Sequence, residues 1–490
     1  MVYLVTNQTS LFDSAFSKLT VQQSLEMMDS WNFVQYDSET TGKNSHLCDL
    51  LCCQFGDKGD NQIVVDCTTV DIRKYKNILE NKLVIGHNLK FDLQFLYNYD
   101  IIPRKVYDTM IVEQMLYLGF PSSEIKYSLA EVAWRRLKID IDKSVRGEII
   151  WRGLDTEVIN YSANDVKWLY DIMQSQVKDC KERNCLVGAK LECDSVPAMA
   201  YLEWCGIKLD ETRWKAKMEN DKKGLEEAKK ALDDFAVKTE VLKQFTKVNN
   251  QGDLFSGYDL TPKCSINWSS SQQVVKVAKL LGFNTVTKDK KTGEDKDSVL
   301  EKLLATQKGI NDEFLKLYFD YQEKFKVVTS FGQGHLNAIN PKTGRIHTVY
   351  KQLGASSGRM SCGSQQPDTD LAKVKKLKPS ECTFPNIQQL PHDEETRACF
   401  VSSKGNLWCS CDYSAQEGRV QGDIYQDEAI LKMYREGIDG HSMYAKIFFK
   451  DELKDIDVHD VKKLRPDLRT KAKSPEFEKK VIKIKTIEFA

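Results

Sequence analysis

The chain has 490 residues, 71 basic and 71 acidic side chains, and 41% hydrophobic residues. That length predicts two to four domains, and the balanced charge by itself neither favours nor excludes a polyanionic partner. No apolar run reaches the roughly 20 residues of a membrane span, and the start, Met1-Val2-Tyr3-Leu4-Val5-Thr6, has the look of a strand, with neither the basic lead nor the apolar core of a signal peptide.

Residues 31–68 alternate as strands do, over Asn32–Glu39, Asp49–Phe55 and Gln62–Cys67, with Gly, Asn and Asp turns between. Lys82–Asn88 is a further short apolar run. From Asp92 to Tyr99, and again over Ser128–Leu137 and Asp155–Gln174, the periodicity turns helical. Strands followed by helices predict one α/β domain on a mixed sheet, ending near residue 190. Residues 191–335 are helical and lysine-rich, with long charged helices expected over Trp214–Val237 and Val299–Phe325 and a polar loop, Asn249–Ser271, between them. Residues 336–420 return to short strands, with a turn at Asn340-Pro341-Lys342-Thr343-Gly344. Lys462, Lys463, Arg465, Arg469, Lys471, Lys473, Lys479, Lys480, Lys483 and Lys485 then form a basic run, a solvated face or a nucleic-acid surface. The fourteen cysteines follow no zinc spacing. Cys48, Cys52, Cys53, Cys409 and Cys411 lie in strand-like stretches and are expected to be buried reduced thiols, which fits a reducing, cytoplasmic compartment.

Three short stretches carry chemistry. Asp37 and Glu39, two apart on a strand, share a face. Such a pair repels unless a proton or a cation compensates, and Mg²⁺ suits carboxylate oxygens. Gly86-His87-Asn88-Leu89-Lys90-Phe91-Asp92 ends a strand and opens a helix, with Asn88 placed to cap it and Asp92 in the first turn. Tyr161 and Asp165 stack one turn apart on a helix, so a phenol lies beside a carboxylate and could orient a water.

In this order the three stretches resemble the DEDD superfamily of 3′–5′ exonucleases, in the subgroup with a tyrosine before the last aspartate. The resemblance implies a ribonuclease H-like fold, with Asp37, Glu39, Asp92 and Asp165 as ligands of two Mg²⁺ ions (Mn²⁺ as a substitute) and Tyr161 positioning the attacking water. Further along, 339–348, Ser357-Gly358-Arg359-Met360-Ser361, Pro385-Asn386-Ile387-Gln388-Gln389-Leu390-Pro391, Arg397 and Phe400 resemble the primer–template segments of family A DNA polymerases. That resemblance puts Arg359 in the minor groove, whose acceptors are nearly independent of sequence, and Asn386 and Gln388 along the duplex. Leu407–Arg419 resembles polymerase motif A, a strand delivering Asp412 as a metal ligand before a helix whose Glu417 excludes a ribose 2′-OH. Ala415, Gln416 and Gly418 depart from the family pattern and put fine nucleotide selection in doubt. His441, in Asp439-Gly440-His441, would touch the incoming phosphates. Arg469, Lys473 and Phe477 have the spacing of the fingers helix, although Pro475 interrupts it and Val481 and Ile482 stand where the family has Tyr and Gly.

The expected architecture is α/β: a ribonuclease H-like exonuclease domain over 1–190, a helical thumb over 191–335, a partial palm and the start of the fingers over 336–477, and an unrelated tail over 478–490. The palm's second catalytic aspartate has no counterpart in the sequence, so a polymerase site incomplete within this chain is expected, finished by a separate polypeptide if at all. The expected partners are DNA primer–template and single-stranded 3′ ends, in a bacterial or phage-infected cytoplasm. Two other readings stay open: a stand-alone exonuclease on DNA or RNA, and a product that binds DNA without turnover. Residues 362–384, a long insertion between primer-binding segments, are expected to be a solvated loop, with DNA contact by Lys373, Lys375, Lys376 and Lys378 as the alternative.

Overall fold

A computed structural model of the chain describes residues 1–8, 16–120, 124–141, 148–152, 154–248, 262–289 and 292–472. They fall into two compact units, Met1–Gly405 and one beginning at Asn406.

The first unit starts with a seven-stranded sheet: β1 (Val2–Val5), β2 (Ser17–Lys18), β3 (Phe33–Thr40), β4 (Leu50–Gly56), β5 (Gln62–Asp66), β6 (Leu83–Gly86) and β7 (Val106–Asp108). Their order is β2-β1-β5-β4-β3-β6-β7. β3 pairs antiparallel with β4 and parallel with β6, so the sheet is mixed, as the strand-then-helix order predicts. β4 and β5 are buried almost throughout because both faces are covered. Leu4, Cys52 and Val64 pack with Ile159 and Ala163 of the Thr156–Lys167 helix. Their neighbours Val5, Cys53 and Val65 face the opposite core, which includes Leu93 and Leu96 of the Leu89–Tyr97 helix and Val196 and Ala200 of the Leu186–Cys205 helix. Adjacent residues of a strand point to opposite sides, and here both sides are dry.

Beyond the sheet, the Glu211–Lys238 and Asp312–Ser330 helices pack around Leu232, Trp268, Phe314 and Tyr318. The second helix starts later than the expected 299. Gly309 is left-handed (φ +92°) and the Asn311 side chain caps Phe314 N at 2.9 Å, so a breaker and a cap set the start. Residues 336–405 form two-stranded ribbons, among them Tyr350–Lys351 with Ser361–Cys362.

The insertion is not a solvated loop. Ser364–Pro367 pairs with Thr383–Phe384, a helix spans Thr369–Lys375, and Leu371, Ala372 and Cys382 form a small core against Leu47. Lys375 turns inward and donates to the carbonyls of Leu336, Asn337 and Ile339 at 2.9, 2.9 and 3.2 Å. It secures the end of the Gln333–Asn337 helix, a structural role.

The second unit holds helices Gln416–Tyr425, Glu428–Arg435, Gly440–Phe448, Val461–Leu464 and Pro466–Lys471, the last three around Ala445, Phe449, Leu453, Val461 and Leu468. The expected strand before Asp412 is absent from 406–412, and Cys409 and Cys411, expected to be buried, are exposed. Among the described residues this unit has no strand. Among those described residues of its unit the alternating run finds no strand edge to pair with, and Leu407 is 94% exposed. Lys473, Phe477, Pro475, Val481, Ile482 and the rest of the tail lie outside the described residues.

Candidate active site

β3 brings Asp37, Ser38 and Glu39 to the middle of the sheet, and the Thr156–Lys167 helix crosses it with Tyr161 and Asp165 on one face. Oxygens of Asp37, Glu39 and Asp165 lie within 4.8 Å of one another. Asp92, in the first turn of the Leu89–Tyr97 helix, lines the same cleft of about 370 Å³, with Tyr161 at its wall. The structure thus groups three of the four expected carboxylates closely and sets the fourth beside them.

Asp92 differs from the others because Ser38 holds it. Ser38 Oγ donates to Asp92 Oδ1 at 2.6 Å, and both residues are buried. Burial, and then the charge of Asp37, push the Asp92 carboxyl well above its usual range, while the Ser38 hydrogen bond pulls the other way. Gln54, opposite Asp37 on β4, donates Nε2 to Asp37 Oδ2 at 3.0 Å and orients it. Burial and the nearby Glu39 keep the Cys52 thiol well above its ordinary value, so it is inert beside the cluster.

The loop carrying His87 and Asn88 is fixed from outside the motif. Asn88 is left-handed (φ 65°) and its side chain makes no cap, contrary to expectation. The cap is Asp108, which accepts from Asn88 N and Leu89 N at 3.1 and 2.8 Å while also capping its own helix at Met110 N. Asp108 is fully buried, so the Asn88 and Leu89 amides are satisfied without water. His87 bridges Thr109 Oγ1 and the Tyr127 carbonyl, each at 2.9 Å. A Cβ on Gly86 would lie 2.2 Å from Leu89 Cδ2, which is why the strand ends in glycine. Ser38 and Gln54 gave no signal in the sequence. Asp108 did, as an acidic cap before Thr-Met-Ile-Val.

The donor set fits a hard divalent cation: all-oxygen and crowded. Comparison with known proteins agrees with the layout. The model for 3′-5′ exonuclease matches residues 14–179, and that for DNA polymerase family A matches 238–478. A DNA polymerase I of Aquifex aeolicus is 25% identical over 451 residues, 87% of this chain and 66% of that protein. One from Borreliella burgdorferi is 24% identical over 488 residues, 95% of this chain and 46% of that protein. Residues 238–478 belong with the DNA polymerase A family. The chain spans two-thirds or less of the length of these curated relatives. The POL domain of Pol1 from M. smegmatis, solved with DNA primer-template and dNTP, shares the fold at a TM-score of 0.65 and 17% identity, over 92% of this chain and 68% of that one.

In and around the segment that matches family A, the polymerase-side residues take several settings. Arg359 is exposed in the ribbon turn between Tyr350–Lys351 and Ser361–Cys362. Asn386 caps the turn Ile387–Gln389 through Gln388 N at 3.1 Å. The two segments adjoin, since a Cβ on Gly363 would lie 3.0 Å from the Asn386 backbone. In the second unit Asp412, Glu417 and His441 are exposed. Arg469 pairs with Asp439 through two contacts of 2.8 Å, a fork that holds the Asp439 carboxyl far below its usual range. Arg469 therefore carries a partner that a triphosphate would have to displace.

Proposed function

We propose that the chain hydrolyses phosphodiester bonds from DNA 3′ ends, with Asp37, Glu39, Asp92 and Asp165 holding two Mg²⁺ ions. What carries the reading is the grouping of Asp37, Glu39 and Asp165 oxygens within 4.8 Å at the cleft that Asp92 and Tyr161 also line. Divalent ions there would supply a lowered water pKa and charge neutralisation for in-line displacement. The chain's own part is to orient and to exclude. Gln54 fixes Asp37, Ser38 fixes Asp92, and Tyr161, one helical turn from Asp165 and lining the same cleft, is assigned to hold the attacking water by its hydroxyl. Residues 336–472 contribute duplex binding through Arg359, Asn386 and Gln388. Asp412, Glu417, His441 and Arg469, with Lys473 and Phe477, are assigned to the incoming nucleotide and its metal. The division 1–190, 191–335 and 336–477 belongs to the same reading. No described helix is long and apolar enough to cross a membrane, in keeping with a cytoplasmic enzyme.

The test is mononucleotide release from a 5′-labelled DNA strand with and without Mg²⁺. Asp37→Ala and Asp165→Ala should each abolish it, and parental rates in the double variant would refute the assignment. The same assay on an RNA strand decides the substrate. Primer extension by the chain alone would assign the whole polymerase site to these residues; extension only with a second polypeptide would place part of it elsewhere.

A further inference from the structure

The insertion docks on the loop that leaves the exonuclease strand. Asp370 Oδ2 accepts from Lys43 N and Asn44 N at 2.7 and 3.0 Å, and Asp368 Oδ2 accepts from Asn44 Nδ2 at 2.8 Å. Asp368 Oδ1 meanwhile caps the insertion's own helix through Leu371 N at 2.9 Å. A Cβ on Gly42 would lie 2.8 Å from Asp370 Oδ1 and 2.5 Å from Cys48 Sγ, so only glycine lets the carboxylate approach this closely. Leu47 completes the contact by packing against the Leu371, Ala372 and Cys382 core.

This loop begins just after Glu39. Its exposed Lys43 lines both the acidic cleft and a larger neighbouring cavity of about 800 Å³. The two cavities also share Asn88, Phe91, Met110 and Tyr127. A strand with its 3′ end among the carboxylates and its preceding nucleotides in the larger cavity must pass Lys43. A lysine free to swing pays side-chain and backbone entropy each time it meets a phosphate; one whose main chain is already fixed pays less.

We infer that the 364–384 insertion is a positioning element of the exonuclease: Asp368 and Asp370 clamp the Gly42–Cys48 loop so that Lys43 pairs with a backbone phosphate of the entering strand. The inference rests on the exonuclease reading above and assigns Lys43 to strand binding and Asp370 to holding it.

The experiment uses the full chain, Mg²⁺ and a 5′-fluorescein-labelled single-stranded oligothymidylate. Lys43→Met should raise KM about five- to tenfold with kcat within about twofold, and should lower the slope of log affinity against log salt by about 0.7, the loss of one phosphate contact. Asp370→Ala should shift KM in the same direction by less, and Asp370→Asn, which keeps an acceptor oxygen, should restore it. Fluorescence anisotropy of the same strand in EDTA reads binding without turnover, and Lys43→Met should weaken it there too. Parental KM, salt slope and anisotropy in Lys43→Met would overturn the inference. Absence of turnover in the parent would sink the exonuclease reading instead, while the anisotropy comparison would still decide Lys43.

Discussion

Without metal, the carboxylate cluster is a source of strain that can be measured as stability. At an effective dielectric constant of about 20, two unit charges 4.8 Å apart repel by about 3.5 kcal/mol. Asp37 and Glu39 are only part-buried, and solvent screening reduces this to roughly 1.5 kcal/mol per pair. Asp37→Asn removes Asp37 from both of its pairs while leaving an amide oxygen to accept from Gln54, so it should stabilise the metal-free protein by about 3 kcal/mol. At Mn²⁺ one hundredfold above its dissociation constant, the parent should gain about 2.7 kcal/mol and the variant far less. Thermal unfolding by circular dichroism at pH 8 reads both effects, as a variant melting roughly 5–10 °C above the parent in EDTA and a gap that closes on adding Mn²⁺. Equal melting in EDTA, or equal gains with Mn²⁺, would refute the argument. Asp92 fixes the pH sign. Its folded pKa lies above its unfolded value, so the stability it confers is fully present below about pH 4 and is lost as pH rises through the raised value. The advantage of Asp92→Asn over the parent should therefore be absent in acid and grow with pH.

Three further outcomes test the packing. Glu113 is fully buried and accepts from Arg135, Arg136 and Gln176, each at 2.8 Å. Glu113→Leu leaves the nearly buried Arg136 short of a partner and should cost about 3–5 kcal/mol in urea unfolding, whereas a cost under about 1 kcal/mol would mean that Asp179 compensates it. Gly206 is left-handed (φ +59°), and a Cβ there would lie 2.7 Å from both His347 Nδ1 and Ile346 O. Gly206→Ala should cost about 2–3 kcal/mol by the same measurement, and an unchanged midpoint would show that the turn relaxes. A fragment ending at residue 206 should be more stable than one ending at 190 by about 2–4 kcal/mol, because Val196 and Ala200 belong to the sheet's core; equal midpoints would show that the helix adds nothing.

The strands and the carboxylate positions were legible because local pattern and burial agree there. Asp37 and Glu39 alternate on a strand, Tyr161 and Asp165 are one turn apart, and both periods survive folding. What failed was legible only in three dimensions. Leu407–Cys411 alternates as a strand should, but alternation becomes a strand only where an edge accepts its hydrogen bonds, and the described residues of its unit offer none. Asn88 looked like a cap by composition, yet a residue more distant in sequence, Asp108, supplies two acceptors to the same turn. Lys375 sat in a polar, lysine-rich stretch that looked solvated, and three carbonyls from residues 336–339 took it inside.

Lys90, two residues before Asp92, donates to Glu203 at 2.5 Å and to the Tyr350 carbonyl. Glu203, itself buried, also accepts from Gln94 and from Tyr350 N at 2.7 and 2.5 Å. The helix bearing one carboxylate is thus anchored by Glu203 of the Leu186–Cys205 helix and by a strand some 260 residues along the chain. On a second side, Asp370 holds the loop that follows Glu39. Neither anchor touches the carboxylates, yet each fixes the backbone that aims one of them. Repelling groups stay close only when the scaffold resists their separation, and here part of that resistance comes from the segments that match the polymerase.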